Sequence, residues 1–256
     1  MGGPLTREPP APVKRQLRQE AGFGCCICGH PIYQYHHIRP FASNPHQNPD
    51  DMMVLCPNHH TEATNGALEE PEQRHHKLHP FNIERGFTEG QLKVGDRRVV
   101  IRAGGVLFVG QGVKIVVDGE ALLQLDVDNE GRLHVTLDLY DRDDACLLSI
   151  RQNEWITGDP LAWDIEFGSR WLKLRRKKRD VALFIDARAQ PVQVTADLWR
   201  RGQNFSITPD SLLFNGVVKG IGFKDVELDS VMLAVDTTRA KFSTAPDPTP
   251  RRQGVT

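Results

Sequence analysis

The sequence predicts an α+β protein in which a small N-terminal domain precedes a larger all-β domain. Two observations predict this fold class. Between residues 13 and 80, His, Cys, Asn and Pro are frequent and β-branched runs are few. From about residue 91 onward, short segments alternate apolar and polar residues, which is the pattern of strands with one buried face. A chain of 256 residues is long enough for two domains of this kind.

The same shifts of composition predict the domain boundaries. Residues 1–12 and 243–256 are rich in Pro and contain Gly, so we expect a disordered tail at each end. The interval 13–80 is expected to form the small domain, 81–91 a linker and 92–242 the all-β domain.

Two helices are expected in the small domain. The first lies in KRQLRQEA at 14–21, a run of good helix formers that ends at Gly22. The second lies between Gly66 and Leu78, where Pro71 limits the position at which the helix begins.

The cysteines of the small domain have the spacing of metal ligands. Cys25 and Cys28 have the C-x-x-C spacing with which a tight turn brings two thiolates to one tetrahedral ion, and Cys56 and His59 repeat it. These four residues predict a closed structural Zn²⁺ site, and Cys26 is expected to point away from it. Clustered cysteines of this kind favour metal in a reducing compartment over a disulfide framework, so we expect a cytoplasmic protein.

Three further histidines, His36, His37 and His60, are not explained by the zinc site. With the zinc residues they follow a fixed order, Cys25-Cys26-Ile27-Cys28-Gly29, His36-His37-Ile38-Arg39-Pro40 and Leu55-Cys56-Pro57-Asn58-His59-His60. Over about residues 13–80 this order resembles the His-Asn-His (HNH) endonucleases. The resemblance implies a ββα-metal fold for the small domain and DNA as the substrate.

The resemblance also implies a role for each of these histidines. His37 would be the general base that takes a proton from the attacking water. His36 and His60 would hold a divalent ion, Mg²⁺ or Mn²⁺, against the scissile phosphate. Phosphodiester hydrolysis at neutral pH needs a base with a pKa near 7 and a cation that neutralises the departing oxygen.

One position departs from the family pattern. The central Asn of the family is expected five residues before Cys56, where this chain has Asp51. In the family this residue braces the loop and orients the general base, so the role falls to Asp51. A carboxylate there is expected to raise the pKa of His37. Asn48 is the alternative bracing residue if the loop is shifted in register.

The charge balance places any contact with nucleic acid in local clusters. The chain has 32 Lys and Arg against 33 Asp and Glu, a net charge of −1, which offers no global attraction for a polyanion. Arg39 and Arg18 are candidate phosphate contacts close to the motifs. Arg176, Lys177 and Lys178 belong to a basic run between two expected strands, and such a run is otherwise a solvated loop.

The all-β domain is expected to be an antiparallel sandwich or a stacked β-sheet. The strongest hairpin signal lies at 122–139, where two alternating segments flank a turn at 128–131. Trp163, Ile165 and Phe167 alternate as one buried face of a later strand. Regulation, targeting or formation of a homo-oligomer is the expected role of this domain.

Together these inferences predict a metal-dependent HNH endonuclease that hydrolyses DNA phosphodiester bonds, with phage defence or a mobile element as a suitable setting. The alternatives are a non-catalytic, zinc-dependent module that binds nucleic acid or protein on a β scaffold, and a β-sheet structural protein with a vestigial nuclease head. The sequence has no apolar run of about 18 residues, so no membrane partner is expected.

Overall fold

The structure, a computed structural model, describes residues 5–85, 87–89, 92–94, 99–157, 163–168, 170–215, 217–218, 227–236 and 241–246. Within these residues the first part of the chain is mixed. Its helices α1 to α4 lie at Ala11–Glu20, Pro57–Asn65, Glu70–Leu78 and Phe81–Arg85, and its strands β1 and β2 at Gln34–His37 and Met52–Leu55. A short 3-10 turn at Pro49–Asp51 leads into β2.

The second part of the chain is built from strands, which confirms the prediction of a β-rich region. Strands β3 to β19 lie at Phe87–Glu89, Leu92–Lys93, Val99–Ala103, Val106–Val117, Glu120–Val127, Arg132–Tyr140, Cys146–Arg151, Glu154–Thr157, Asp164–Gly168, Trp171–Lys177, Asp180–Asp186, Val192–Arg200, Gln203–Ile207, Leu212–Phe214, Val217–Val218, Glu227–Asp236 and Lys241–Pro246.

Strands β1 and β2 pair antiparallel, with His36 opposite Met53 and His37 opposite Met52. All four residues of β2 are apolar and buried, so the pair is held by the core beneath it. Helix α2 follows β2 after Cys56 alone. The hairpin and the helix therefore succeed one another without a connecting loop.

The strands of the second part form one paired network in which β6 is central. Along its length β6 pairs antiparallel with β5 and then with β7, and it also pairs in parallel with β18. Strand β14 pairs antiparallel with β13 and β15 and in parallel with β5. Alternation at period two does not predict the two parallel pairs, because both strand directions share that period. Strands β7 and β8 pair antiparallel, which confirms the hairpin predicted at 122–139.

The first part of the chain contributes to the core of the second. Trp163 and Ile165 are fully buried, as predicted, and Phe167 is partly buried against the same core. Phe23, which follows α1, belongs to this core as well, and its ring stacks on that of Trp163 with centroids 4.3 Å apart and planes at 21°. The apolar cores of the two parts therefore meet at an aromatic pair.

Arg18 of α1 makes a second, polar connection at the same place. Its Nε and Nη2 donate to the two carboxylate oxygens of Asp164 at 2.8 and 2.6 Å, and its Nη1 donates to the hydroxyl of Tyr35 at 2.6 Å. Arg18 is only 6% exposed. The prediction that Arg18 contacts phosphate is therefore wrong, because its guanidinium is buried and hydrogen-bonded to the carboxylate of Asp164 in the β part.

The predicted N-terminal tail and the predicted linker both contain ordered structure. Helix α1 begins at Ala11 because a proline in the first helical turn, here Pro12, loses no hydrogen bond. The side chain of Gln47 donates to the carbonyls of Thr6 and Glu8 at 2.8 and 3.3 Å. Residues 5–12 thus differ from the expected disordered tail, whereas residues 1–4 lie outside the described residues.

The interval 81–91, expected to be a linker, contains α4 and β3. Asn82 of α4 is buried and donates to the carbonyls of Gly22 and Gly29 at 3.0 and 3.3 Å, so α4 packs on the turn that carries the first cysteines. At the other end, β19 extends to Pro246, into the expected tail, and residues 247–256 lie outside the described residues. No helix in the described ranges is long and apolar enough to cross a membrane.

Candidate metal centre and histidine cluster

The first cysteine pair lies in a tight turn between α1 and β1. The amide of Gly29 donates to the carbonyl of Cys25 at 2.8 Å, and the amide of Cys25 donates to the carbonyl of His30 at 3.0 Å. Gly29 has a φ of 72°, and a Cβ at this position would overlap the side chain of Asn82. Glycine is therefore required for the turn that brings the Cys25 and Cys28 sulfurs together.

The second pair comes from the start of α2. Cys56 is the residue before the helix and His59 lies in its first turn. The ligand atoms of Cys25, Cys28, Cys56 and His59 all lie within 4.8 Å of one another. The prediction that these four residues form one group is confirmed.

The distances within this group fit a tetrahedral zinc ion. The Cys28 and Cys56 sulfurs are 3.9 Å apart, and Nδ1 of His59 lies 3.4 Å from the Cys25 sulfur and 3.3 Å from the Cys56 sulfur. Zn–S bonds of about 2.3 Å at tetrahedral angles require sulfurs roughly 3.8 Å apart. The four residues could therefore hold Zn²⁺, with His59 as an Nδ1 ligand.

Cys26 faces the core of the first part instead. It is 3% exposed, and its amide donates to the carbonyl of Val54 at 2.9 Å. Burial raises the pKa of the Cys26 thiol to about 12, so the group is a protonated, apolar core side chain at neutral pH.

His36 of β1 and His60 of α2 come together beside the cysteine group. Their ring centroids are 5.1 Å apart and their planes are perpendicular. Burial, and then the neighbouring His60, lowers the pKa of His36 to about 4. Burial also lowers the pKa of His60. Both rings are therefore neutral at pH 7 and carry a lone pair that a cation could use.

His37 has different surroundings from those of His36. Its Nε2 lies 3.2 Å from the carbonyl oxygen of His46, and its ring lies 5.1 Å from the rings of Phe41 and His46. Burial lowers the pKa of His37 below its usual value. In the described part of the chain, the Cys25 group is the only set of three or more ligating residues close enough for one ion. His36 and His60 are thus a pair, to which His37 adds no third ligand.

The side chain of Asp51 is directed at arginines and does not act on His37. Its carboxylate accepts from Nη2 of Arg74 at 2.9 Å and from Nδ2 of Asn48 at 3.3 Å, and lies 3.5 Å from Nε of Arg39. The hydrogen bond from Arg74 is the main cause that lowers the pKa of Asp51. Its negative charge is therefore balanced by arginines, and the expectation that it raises the pKa of His37 is wrong.

The bracing function of this loop is divided between two backbone carbonyls. The Asp51 carbonyl accepts the amide of Ile38 at 2.9 Å, which fixes the end of β1, and the His46 carbonyl faces His37. The side chain of Asn48 accepts the amide of Asp50 at 3.3 Å and caps the 3-10 turn.

Sequence reasoning missed two residues that act on the histidines. Gln73 of α3 is 4% exposed and its Oε1 lies 3.1 Å from Nε2 of His36. Arg7, in the segment held by Gln47, lies near enough for its charge to add to burial in lowering the pKa of all three histidines. A buried glutamine on a polar helix and an arginine in a Pro-rich segment have no sequence signal of their own.

The remaining predicted phosphate contacts differ in their accessibility. The side chain of Arg39 is 56% exposed. Arg176 donates to the Asp180 carboxylate at 2.7 Å and to the Asp197 carbonyl at 2.6 Å, with only 9% of its side chain exposed, so the prediction that it contacts DNA is wrong. Lys177 and Lys178 are exposed at the turn between β12 and β13.

Comparisons with protein-family models, with curated proteins and with solved structures find no match for this chain. The order of its motifs and the placement of these side chains are therefore the observations that bear on its function.

Proposed function

We propose that this protein is a metal-dependent endonuclease of the HNH type, whose β1, β2 and α2 form a ββα-metal unit. The observation that carries the proposal is the meeting of His36 from β1 with His60 from α2, at 5.1 Å between ring centroids. A structural zinc ion explains Cys25, Cys28, Cys56 and His59 but requires neither of these two histidines. Their pairing therefore supports a second cation site beside the first.

His37 is the proposed general base. A backbone carbonyl can only accept a hydrogen bond, so the contact with His46 places the proton of neutral His37 on Nε2. Its Nδ1 then carries the lone pair that takes a proton from water. The lowered pKa keeps this atom unprotonated at neutral pH.

His36 and His60 would hold Mg²⁺ or Mn²⁺. When bound, such an ion neutralises the charge that develops on a phosphate. The two histidines contribute neutral donors, because burial holds both pKa values below the usual value. Two neutral ligands leave the full positive charge of the ion available to an anionic substrate.

Three exposed cationic side chains are the proposed DNA contacts. Arg39 lies two residues after His37, the last residue of β1. Lys177 and Lys178 lie on the β part, so DNA contact there would make that part a targeting domain as well as a scaffold. Regulation and assembly into a homo-oligomer are the other roles proposed for it.

One observation favours the alternative, a non-catalytic zinc-dependent binding module. His36 and His37 are only 8% and 6% exposed. A base and a metal ligand must be reached by water and by a phosphate oxygen, whereas a purely structural histidine need not be. Activity is therefore the deciding measurement.

Nicking of supercoiled plasmid DNA in Mg²⁺ or Mn²⁺ tests the proposal. We expect the wild-type protein to nick DNA and His37→Ala to lower the rate by about 10²- to 10⁴-fold, the usual contribution of a general base. His75→Ala, at an exposed position of α3, is the matched control and should retain the wild-type rate.

Two results would count against the enzyme. Equal rates for the wild type and His37→Ala, at equal zinc content, would refute the base assignment. A wild-type protein that retards DNA in a gel without cutting it would favour the binding module.

A further inference from the structure

Gln73 is a buried polar residue whose side chain lies between α3 and the histidine pair. It is 4% exposed, and both ends of its amide are engaged. A buried amide of this kind is stable only if each donor and acceptor has a partner. The partners of Gln73 therefore decide which way round the amide sits.

The carbonyl of Leu68 decides that orientation. It lies 2.8 Å from one end of the Gln73 amide, and a carbonyl can only accept, so this end is Nε2. Leu68 is itself fixed, because its side chain is buried and its amide donates to the backbone carbonyl of Glu62 at 3.2 Å. The other end of the amide, Oε1, therefore faces His36 as an acceptor.

The acceptor in turn decides the tautomer of His36. Oε1 of Gln73 lies 3.1 Å from Nε2 of His36, so Nε2 must carry the ring proton. The lone pair of the neutral ring then resides on Nδ1. The same nitrogen of His59 faces the cysteine sulfurs in the neighbouring group.

Helix α3 contacts this region at a second residue. The next residue, Arg74, donates to the Asp51 carboxylate at 2.9 Å, and the carbonyl of Asp51 accepts the amide of Ile38 at the end of β1. Two consecutive residues of α3 thus contact the strand that carries His36 and the loop that precedes β2.

We propose that Gln73 is a positioning residue that holds His36 in the tautomer with Nδ1 free, and that this nitrogen is the His36 ligand for a divalent cation. The second half of this inference rests on the proposed function, whereas the first half concerns the protein before any second cation binds. Partners of this kind, which orient a metal-ligating histidine, typically contribute about 10- to 100-fold to metal affinity.

The tautomer can be read directly from the zinc-loaded full-length protein labelled with ¹⁵N-histidine. A long-range ¹H–¹⁵N correlation spectrum, recorded at a pH where the ring is neutral, distinguishes a proton on Nε2 from one on Nδ1. The His36 signals are assigned by their loss in His36→Gln. We expect the wild type to carry the proton on Nε2.

Variants of Gln73 separate positioning from packing. Gln73→Met preserves volume but removes the acceptor, so we expect both tautomers of His36 and Mn²⁺ binding weakened by about 10- to 100-fold. Gln73→Glu keeps an oxygen that faces Nε2 of His36 and, in the protonated form that burial favours, an O–H that can donate to the Leu68 carbonyl, so it should restore the Nε2-protonated ring. Glu72→Gln, at an exposed position of the same helix, should change neither the tautomer of His36 nor the affinity for Mn²⁺.

The outcomes are distinct. A wild-type ring with its proton on Nδ1, or an unchanged ring in a folded Gln73→Met, would overturn the positioning role. A wild type with the expected tautomer that binds no Mn²⁺ would overturn the cation ligand and the proposed nuclease together, while leaving the orientation of His36 by Gln73 in place.

Discussion

His36 and His37 are neighbours in the chain but have different surroundings, because successive side chains of a strand leave it on opposite faces. His36 contacts Gln73 and His60, whereas His37 contacts the backbone of His46. The sequence predicts unlike roles for the two histidines. It does not predict their partners, because a backbone carbonyl belongs to every residue and a glutamine has many possible environments.

The zinc assignment makes a prediction about two exposed cysteines, Cys28 and Cys146. Cys28 belongs to the ligand group and Cys146 does not. We expect Cys28→Ser to lose bound zinc and to lower the melting temperature, because the metal supplies much of the folding free energy of so small a unit.

Cys146→Ser is the matched control for that experiment. Metal analysis by mass spectrometry should find wild-type zinc content in Cys146→Ser and a clear loss in Cys28→Ser. Full zinc content in Cys28→Ser would remove this residue from the ligand set.

Prolines explain where the helices begin. Proline occupies the first turn of α1, α2 and α3, where the N–H groups have no partner within the helix. Pro71 is expected to limit where the second helix begins, and α3 indeed begins one residue before it and spans Glu70–Leu78. The same rule places the start of α1 at Ala11, inside a segment whose Pro-rich composition alone predicts disorder.

The hairpin of β7 and β8 shows how turn chemistry fixes an element. The carboxylate of Asp128 accepts the amides of Glu130 and Arg132 at 2.8 and 2.9 Å, and also faces His134 at 3.0 Å. Burial alone would raise the pKa of Asp128, but the hydrogen bonds from His134 and Arg132 outweigh it and hold the pKa well below its usual value of 3.8.

This lowered pKa predicts a pH dependence of stability. Because the unfolded chain binds the proton more tightly, the contribution of Asp128 is present above about pH 4 and is lost as the pH falls below 3.8 toward the lower folded-state value. Asp128→Asn should lower the free energy of unfolding by about 1–3 kcal/mol at neutral pH.

Urea unfolding followed by tryptophan fluorescence measures this effect. The difference between the wild type and Asp128→Asn should narrow as the pH is lowered from neutral through 3.8. A difference that is constant with pH would show that the charge of Asp128 contributes nothing to the turn.

The two parts of the chain are joined by Arg18 and Asp164, which are 6% and 3% exposed. Desolvating such a pair costs much of what its attraction contributes, so its presence is weak evidence for stability. Removal of one member has a different effect, because the remaining buried charge loses its closest partner and keeps only a longer contact, Asp164 with Arg175 at 3.9 Å or Arg18 with Glu166 at 3.6 Å.

We therefore expect Arg18→Met to lower the free energy of unfolding by about 3–5 kcal/mol, and the double variant Arg18→Met with Asp164→Leu to recover much of that loss. Lys14→Met is the control on the same helix, because its partner Glu8 is largely exposed, and should cost less than about 1 kcal/mol. A double variant no more stable than Arg18→Met would show that the pair does not act as a unit.

Residue spacing along the chain is enough to predict the β-rich second part and the four residues that could hold zinc. Both depend on local spacing: strand alternation repeats every two residues, and C-x-x-C and C-x-x-H pairs each fit within one turn. Three other features follow only from the folded arrangement: Arg18 and Arg176 are hydrogen-bonded to carboxylates, Asp51 is paired with arginines, and Gln73 contacts His36. These outcomes depend on which distant segments meet and exclude water, and residue spacing carries no information about that.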